Sequence, residues 1–365
     1  MKKFLTVLLL VFIIVFYFMG SARNIYLIGS SLPLAGIMLD LGNSVKLGTE
    51  VSFKIYADGL SKKINYKFLD DKYEPKLTKE NIKKLYNSNV FLLYGIVGTP
   101  TVKEILPFLN DNSIYLYAPF TGAEFLRKNR YVINFRASYK DEIKKIVDYL
   151  IKKGITKIAV FYQNDEYGNE IYYHTWEVLK NRHLKLSGVG TYKRNTFFIT
   201  SALNEISHNT PQAIIMGSTS KVSAMFIEKY RKIDPKAVFC TISFVNPDSL
   251  VKLLKNTGNI IFSEVVPYYN DKSIKEAVLF KKDLKKINRN AKPSFFAFEA
   301  YLANKILLRA FENLTFPYTP SHLVGLIKKT PENFLKGIKI RYKNNQLLNK
   351  TYLFIYKNGS FKEIK

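Results

Sequence analysis

The feature that most constrains the fold is a regular alternation of short apolar runs with longer amphipathic runs along most of the chain. The apolar runs have the length of strands, and the runs between them repeat with the 3.6-residue period of a helix. One series of such pairs occupies residues 25–109, and a second occupies residues 138–254. Strands that alternate with helices predict βαβ units and parallel sheets. The 365-residue chain is therefore predicted to form an α/β fold with two doubly wound parallel-sheet lobes.

The last hundred residues depart from this alternation. Two long amphipathic runs at 274–287 and 296–312 predict helices, and a shorter helix is predicted at 321–329. The apolar runs 338–342 and 352–356 flank Asn344-Asn345, a spacing that predicts a β-hairpin. Asn358-Gly359 predicts one more turn near the end.

The first 22 residues predict an export signal. Lys2 and Lys3 precede an uncharged apolar run from Phe4 to Met19, which is followed by small residues, as in a secretory signal peptide. The apolar run is slightly long for such a signal, so an uncleaved N-terminal anchor is an open alternative. No later stretch reaches the roughly 20 apolar residues of a membrane-spanning helix. We therefore expect the protein to lie outside the cytoplasm, in the periplasm or its equivalent.

The chain carries a formal net charge of +27, which raises nucleic acid as a partner. Its lysines are scattered along helix-like stretches, and the densest cluster, within residues 281–286, has the pattern of a solvated helix face. No nucleic-acid-binding module accompanies them, so no nucleic-acid partner is expected. Cys240 is the only cysteine and lies in an apolar run, where we expect it to be a buried strand residue.

Two neighbouring strands run directly into small and hydroxyl-bearing residues. The first leads into Gly98, Thr99 and Thr101, and the second into the segment Phe120-Thr-Gly122. Because the carboxyl ends of parallel strands meet at one edge of a sheet, both segments should line a ligand cleft. Thr99-Pro-Thr101 also opens an amphipathic run, so the free N–H groups of a helix start should face the same cleft. This arrangement predicts a site for a carboxylate or phosphate.

The strand ends do not carry the residues of common catalytic sites. The four histidines lack metal-ligand spacing, and none follows a strand beside a candidate nucleophile. No phosphate-binding Gly-x-x-x-x-Gly-Lys-Ser/Thr loop follows any strand. We therefore expect a binding protein rather than an enzyme, with no metal and no cofactor.

A set of motifs in fixed order points to a known family. The sequence resembles the type I periplasmic solute-binding proteins of branched-chain amino acid ABC transporters over essentially the whole mature chain. Each motif follows a predicted strand or crossover, and the motifs are Ser31-Leu-Pro-Leu-Ala-Gly36, Asp70-Asp-Lys-Tyr-Glu-Pro75, Val97-Gly-Thr-Pro-Thr101, Ala118-Pro-Phe-Thr-Gly-Ala-Glu124, Asn134-Phe-Arg-Ala-Ser-Tyr139, Val160-Phe-Tyr-Gln-Asn-Asp-Glu-Tyr-Gly168 and Phe298-Glu-Ala-Tyr301.

The resemblance implies two lobes joined by three crossovers, with one ligand between them. It divides the chain into an N-terminal lobe, residues 23–137 and 268–316, and a C-terminal lobe, residues 138–267 and 317–365. It also implies a small-molecule ligand, ABC permease subunits as partners and a monomeric protein. Contact with the membrane is then expected only through the permease or an uncleaved N-terminal anchor.

The resemblance also implies roles for particular residues. The loop Gly98–Thr101 would receive the ligand's carboxylate, and Phe120–Gly122 would supply a carbonyl and a hydroxyl to the ligand. Tyr167 would close on the ligand from the second lobe. Ser243 lies in the second-lobe segment where amino acid binders carry an acidic residue that pairs with the ligand's ammonium, and no carboxylate is present there.

That departure leaves the ligand open. Asp165 or Glu166 could substitute for the missing acid, although an acid beside a turn is usually just solvated. Asp40-Leu-Gly42 also stands where the family commonly has an aromatic residue. An amino acid, an amide, a short carboxylate and a purine-like solute all remain candidates. An exported sensor subunit that docks to a membrane receptor or kinase is the alternative to a transporter subunit.

Overall fold

The computed structural model describes residues 25–365, so the predicted signal peptide at 1–22 lies outside the described residues. The first lobe contains a five-stranded, all-parallel sheet of order β2-β1-β3-β4-β5. Its strands are β1 Ile25–Leu32, β2 Lys63–Asp70, β3 Leu92–Tyr94, β4 Leu116–Tyr117 and β5 Val132–Ile133. The helices between them are α1 Leu39–Tyr56, α2 Pro75–Asn87 and α3 Thr99–Asp111, with a 3₁₀ helix at Glu124–Lys128. This alternation confirms the first predicted series.

The second lobe is built on a seven-stranded sheet of order β12-β11-β10-β9-β8-β6-β7. Its parallel strands are β6 Ile158–Gln163, β7 Leu186–Tyr192, β8 Ala213–Gly217, β9 Val238–Thr241 and β10 Ile260–Glu264. The helices are α4 Tyr139–Lys152, α5 Glu166–Lys180, α6 Thr200–His208, α7 Ser220–Tyr230 and α8 Pro247–Leu253. The parallel strands β6, β8 and β9 are almost entirely apolar and buried, as expected for strands covered by helices on both faces. Cys240 is buried in β9, as predicted.

The chain then returns to the first lobe. Helix α9, Lys275–Ile287, and helix α10, Phe295–Glu312, both pack against α1. Most side chains of α10 are buried, including six in its first seven positions that are aromatic or alanine, so it is a core helix rather than a surface one. Helix α11, Pro320–Lys328, packs against α10.

The predicted C-terminal hairpin is wrong in its first strand. The antiparallel pair is β11 Tyr352–Lys357 with β12 Ser360–Ile364, turned by Asn358 and Gly359, and β11 also pairs antiparallel with β10. Residues 338–342 form no strand, and Asn344 and Asn345 instead make a local turn with positive φ. Asn344 and Asn345 do form a turn, but β11 pairs with β12, the strand that follows the next turn at Asn358-Gly359.

Crossovers join the lobes after β5, after β10 and before β11. The first and third lie side by side, because the Leu347 N–H donates to the Asn134 carbonyl (3.1 Å) and the Leu348 N–H to the Phe135 carbonyl (2.8 Å). The Asn345 side chain also donates to the Val132 carbonyl (2.7 Å). These bonds, together with the packing of α11 on α10, favour a third crossover near residue 346 rather than at residue 317. The remaining lobe limits stay predictions.

Candidate functional site

The first lobe brings Thr99 and Thr121 together at its carboxyl edge. Beyond the ends of β3 and β4 the two chains stay paired, because the Gly98 N–H donates to the Phe120 carbonyl (3.2 Å) and Val97 forms a parallel bridge with Phe120. The Thr99 and Thr121 hydroxyl oxygens lie 2.6 Å apart, and both side chains are fully buried. The structure therefore brings these two predicted residues together into one hydroxyl pair.

Helix α3 begins at Thr99, as the sequence predicts. The N–H groups of its first turn have no partner within the helix, and they carry the positive end of the helix dipole. The Thr101 hydroxyl is already engaged, since it donates within the loop to the Gly98 carbonyl (2.8 Å) and lies close to that of Val97. Thr101 thus holds the loop through its side chain, and its predicted contact with a ligand stays a prediction.

Gly98 and Gly122 each make room for a tyrosine ring. A Cβ on Gly98 would lie 2.4 Å from Tyr73 Cε2, and a Cβ on Gly122 would lie 2.5 Å from Tyr139 Cδ1. Gly98 also has φ of +102°, which side-chain-bearing residues rarely adopt. The Tyr139 N–H donates to the Gly122 carbonyl (2.8 Å). These two glycines therefore fix aromatic side chains against the edge of the first lobe.

Four fully buried aromatic rings extend from this edge across the interface of the lobes. The ring centroids are 5.7 Å apart for Tyr139 and Tyr167, 4.6 Å for Tyr167 and Phe244, and 6.1 Å for Phe244 and Tyr73. Tyr73 belongs to the first lobe, and Phe244 and Tyr167 belong to the second. The Tyr167 ring packs between Tyr139 and Phe244, and its hydroxyl donates to the Ser218 carbonyl (3.4 Å), so its predicted contact with a ligand stays a prediction.

Phe120 lies on the hinge side of the threonine pair. Its ring packs against Phe296 of α10, with 6.1 Å between centroids, and the Arg136 guanidinium lies 5.8 Å from its centroid. Its carbonyl accepts the Gly98 N–H (3.2 Å). Phe120 is therefore fixed by both its ring and its carbonyl.

Ser243 lies at the edge of the second lobe, and it is bound to a carboxylate that sequence reasoning missed. Its N–H donates to Glu142 Oε2 (2.8 Å), and its hydroxyl donates to Glu142 Oε1 (2.7 Å). Glu142 is fully buried in the first turn of α4. Burial raises the pKa of Glu142 to about 7, against the opposing effects of Arg136 and of the two bonds from Ser243. A carboxylate therefore lies against Ser243, but it comes from helix α4, and each of its oxygens accepts a bond from Ser243.

Glu142 belongs to a buried charged cluster at the hinge. Arg136 pairs with Glu299 through two bonds, Nε to Oε1 (2.9 Å) and Nη2 to Oε2 (2.7 Å). Glu264 lies near both Glu142 and Arg136, and burial followed by the charge of Glu142 raises the pKa of Glu264. The cluster joins the first crossover, α4, the end of β10 and α10, so it connects both lobes at the base of their interface.

Polar contacts cross the outer edge of the interface. Arg194, after β7, lies 4.7 Å from the Tyr73 ring centroid, and its Nη1 lies 3.3 Å from Glu74 Oε2. The Asn195 amide donates to the other Glu74 oxygen (2.5 Å). Lys103 pairs with Glu166 (3.4 Å) at a second point. The two lobes are therefore in contact along the rim as well as through the aromatic rings.

Asp165 and Glu166 are the acids that could substitute for the carboxylate absent from the Ser243 segment, and both already have partners in the protein. Asp165 caps α5 by accepting the N–H groups of Tyr167 (3.0 Å) and Gly168 (3.2 Å). Burial raises the pKa of Asp165 to about 6. Glu166 is engaged with Lys103 at the rim. Both acids therefore have structural partners.

The sequence carried partial signals for the residues that were missed. Tyr73, Arg136 and Tyr139 lie inside motifs that carried the family resemblance, and Phe244 follows Ser243. Nothing in the local pattern marks Glu142, because it looks like any acid in the first turn of a helix. Within residues 25–365, no group of three metal-ligating side chains is placed to hold a metal ion. No helix in that range is long and apolar enough to cross a membrane.

Comparison with known proteins decides the family. Residues 26–360 match the periplasmic binding protein family. The chain belongs to that family. Among solved structures, a possible leucine/isoleucine/valine-binding protein from Rhodopirellula baltica SH 1 superposes on this periplasmic binding protein with a TM-score of 0.88. The two sequences are 26% identical, and the match covers 94% of this chain and 97% of the other.

Two more distant structures share the fold. A substrate-binding periplasmic protein from Ralstonia solanacearum has a TM-score of 0.87 at 23% identity, covering 93% of this chain and 100% of the other. A branched-chain amino acid transporter substrate-binding protein from Streptococcus pneumoniae, in complex with isoleucine, has a TM-score of 0.79 at 16% identity, covering 93% and 98%. These matches confirm the predicted α/β fold with two parallel-sheet lobes.

A sequence relative is an uncharacterized protein of Methanocaldococcus jannaschii. It is 23% identical over 173 residues, which span 44% of this chain and 42% of the relative. The match therefore covers less than half of either protein, and it assigns no activity to this periplasmic binding protein.

Proposed function

We propose that this periplasmic binding protein is the extracytoplasmic substrate-binding subunit of an ABC transporter. It captures a small polar solute between its lobes, an amino acid or a related carboxylate or amide, and delivers it to permease subunits. It is a monomer with no catalytic activity, held at the membrane by the permease or by an uncleaved N-terminal anchor. The names of the structural relatives support this role.

The observation that carries the proposal is the hydroxyl pair of Thr99 and Thr121 at the start of α3, 2.6 Å apart and buried between two lobes. Hydroxyl groups and the free N–H groups of a helix start suit a carboxylate. The rings of Tyr73, Tyr167 and Phe244 meet across the interface, so a solute held there would contact both lobes.

The alternative is a sensor subunit with the same binding site and a different membrane partner. Genes for ABC permease subunits beside this gene would favour the transporter, and a gene for a membrane kinase or chemoreceptor would favour the sensor.

The binding role is tested by a thermal-shift screen of the purified protein with amino acids, amides, short carboxylates and purines. A solute that binds only the folded protein adds about 2.7 kcal/mol to the free energy of unfolding at 100 times its Kd. We expect at least one solute to raise Tm, and the Thr99→Val/Thr121→Val double variant to lose that shift. A screen in which no solute changes Tm would contradict the proposal.

A further inference from the structure

An acid of the first lobe meets an acid of the second lobe beside the loop after β4. Glu124 begins the 3₁₀ helix that follows this loop, and its N–H donates to Glu170 Oε2 of helix α5 (2.8 Å). The Oε2 atom of the Glu124 side chain is buried and has no hydrogen-bond partner among residues 25–365. A buried carboxylate is costly unless a positive charge lies nearby. The contact between the lobes therefore depends on the cations around it.

His174 of α5 supplies such a cation. Its Nε2 lies 3.2 Å from Glu170 Oε2, the oxygen that also accepts the Glu124 N–H, and its Nδ1 lies 3.3 Å from Glu177 Oε2. The His174 side chain is buried, with 6% of its surface exposed. A neutral imidazole has one donor and one acceptor nitrogen, and only the imidazolium can donate to carboxylates on both sides. The geometry is therefore that of a protonated histidine.

The charge of Glu124 reaches His174 across the interface. Burial alone would lower the pKa of His174, but the hydrogen bonds and charges of the surrounding acids outweigh burial and raise the pKa above its usual 6.5. These acids are Glu170, Glu177 and Glu124. Glu170 and Glu177 share helix α5 with His174, so they stay beside it in any arrangement of the lobes. Glu124 is the acid that reaches the ring only when the lobes meet.

The other cations near this cluster do not titrate near neutral pH. Lys140 of α4 pairs with Glu177 (3.0 Å), and the charge of Glu124 acts on it as well. Arg127 of the 3₁₀ helix donates to two backbone carbonyls and to a side-chain amide. Lys103 of α3 pairs with an acid about two turns earlier in α5. Lysine and arginine keep their charge near neutral pH, so His174 is the cation of the cluster whose charge changes there.

From the acids that meet across the interface and the imidazolium beside them, we propose that closure of the lobes takes up a proton at His174. When His174 is charged, the ring offsets the repulsion of Glu124 by Glu170 and Glu177. When His174 is neutral, that repulsion opposes closure. Linkage is reciprocal, so closure that tightens proton binding is itself favoured by protonation, by the same factor. The inference goes beyond the proposed function, because the proton is a second ligand whose site lies outside the threonine pair.

The direction of the pH effect follows from the raised pKa of His174. Its contribution to closure is complete below pH 6.5, and it is lost as the pH rises through the raised pKa of the closed protein. Each unit by which closure raises the pKa of His174 changes the closing equilibrium by about tenfold. Glu142, with a pKa of about 7, titrates in the same range, so the effect of His174 has to be isolated by substitution.

The first experiment follows His174 directly. The ring nitrogens of the four histidines are titrated by NMR in the purified protein without solute, and His174→Gln assigns the His174 signals. Glu124→Gln removes the first-lobe charge and keeps the backbone N–H. We expect this variant to weaken proton binding by His174 by about threefold or more, because an opposite charge is lost. The titration of His208, which is exposed at the end of α6, should stay unchanged.

The second experiment measures closure. Small-angle X-ray scattering of the solute-free protein at about pH 6 and about pH 9 brackets the titration of His174. We expect the wild type and the control variant His208→Gln to have a smaller radius of gyration at the lower pH. We expect His174→Gln and Glu124→Gln to lose most of this difference, and any remainder belongs to other acids such as Glu142.

Three results would overturn the inference: an unchanged titration of His174 in Glu124→Gln, an equal radius of gyration of the wild type at both pH values, or a pH effect that both variants retain in full. None of these measurements involves a solute. The proposed function would therefore stand if the inference failed, and it would fail only in the thermal-shift screen.

Discussion

At the scale of single residues, the site depends on which polar groups are already bonded. Thr99 and Thr101 lie two positions apart and look alike in sequence, yet their hydroxyls have different partners. The Thr99 hydroxyl lies 2.6 Å from that of Thr121 at the interface of the lobes. The Thr101 hydroxyl donates to a carbonyl of its own loop. The same residue type therefore bonds across two loops at one position and within its own loop at the other.

This difference predicts separate effects for two matched substitutions. Thr99→Val removes a hydroxyl from the proposed binding site, and we expect the binding free energy of the best solute of the thermal-shift screen to weaken by roughly 1.5–3 kcal/mol. Thr101→Val removes a bond within the loop, and we expect a lower free energy of unfolding instead, by about 1 kcal/mol. Calorimetry and urea denaturation of both variants measure the two quantities. Equal affinity in Thr99→Val and the wild type would place the site elsewhere.

The buried Glu142 predicts a pH dependence of stability. Its pKa is about 7 in the folded protein and 4.5 in an unperturbed glutamate, so the folded state holds the proton more tightly. Its contribution to stability is complete below pH 4.5 and is lost as the pH rises through 7. The raised pKa values of Asp165 and Asp71, both about 6, act with the same sign.

We expect the free energy of unfolding to fall between pH 4.5 and 7, and Glu142→Gln to show a smaller fall. Glu177→Gln is the control. The hydrogen bond with Lys140 lowers the pKa of Glu177, so the contribution of Glu177 to the free energy of unfolding increases as the pH rises, opposite to that of Glu142. Urea denaturation across this pH range measures the free energy of unfolding of the wild type and of both variants. An identical slope in the wild type and Glu142→Gln would contradict the assignment of a raised pKa to Glu142.

The local sequence pattern could predict the site residues that follow strand ends, but it missed the residues that are brought to the site by tertiary contacts. The strand ends identified the loops of Thr99 and Thr121, because a parallel sheet brings strand ends together. Glu142 reaches the turn that holds Ser243 from helix α4, a contact across 101 residues of sequence. No propensity or spacing rule reports such a distance, so the carboxylate behind Ser243 became visible only in the folded structure.

At the scale of elements, the loops after β3 and β4 are shaped by glycines that leave room for tyrosine rings.

Most predicted helices and strands agree with the structure to within a few residues, because their apolar periodicity decides their type. The C-terminal hairpin was the exception. Its sequence offers two Asn turns, and only the pairing with β10 and β12 selects the second. Partner choice in a sheet is a tertiary property that a turn motif does not determine.

The glycine contacts predict the effect of one methyl group on the loop after β4. Gly122→Ala would place Cβ 2.5 Å from the Tyr139 ring and 2.7 Å from the Tyr139 backbone nitrogen. We expect it to lower the free energy of unfolding by about 1–3 kcal/mol and to weaken solute binding, since Tyr139 must move. Gly59→Ala is the control, because no atom lies within 4 Å of its added Cβ. Similar stabilities for the two variants would show that Tyr139 does not rest on Gly122.

At the scale of the whole molecule, two α/β lobes meet across a face of threonine hydroxyls and aromatic rings. The crossovers pass through a buried cluster of Arg136 with Glu299, Glu142 and Glu264, while Arg194 and Lys103 form ion pairs at the rim. A solute that contacts both lobes binds the closed arrangement better than the open one. It shifts the equilibrium only by that difference in affinity.

The central claim is that a solute bound between the lobes stabilises their closure, which a membrane partner then reads. Small-angle X-ray scattering of the purified protein, alone and saturated with the solute that gives the largest thermal shift, tests this most directly. The Thr99→Val/Thr121→Val double variant under the same conditions is the control. The account predicts a smaller radius of gyration with the solute for the wild type and no change for the double variant. An identical radius of gyration for the free and the saturated wild type would contradict it.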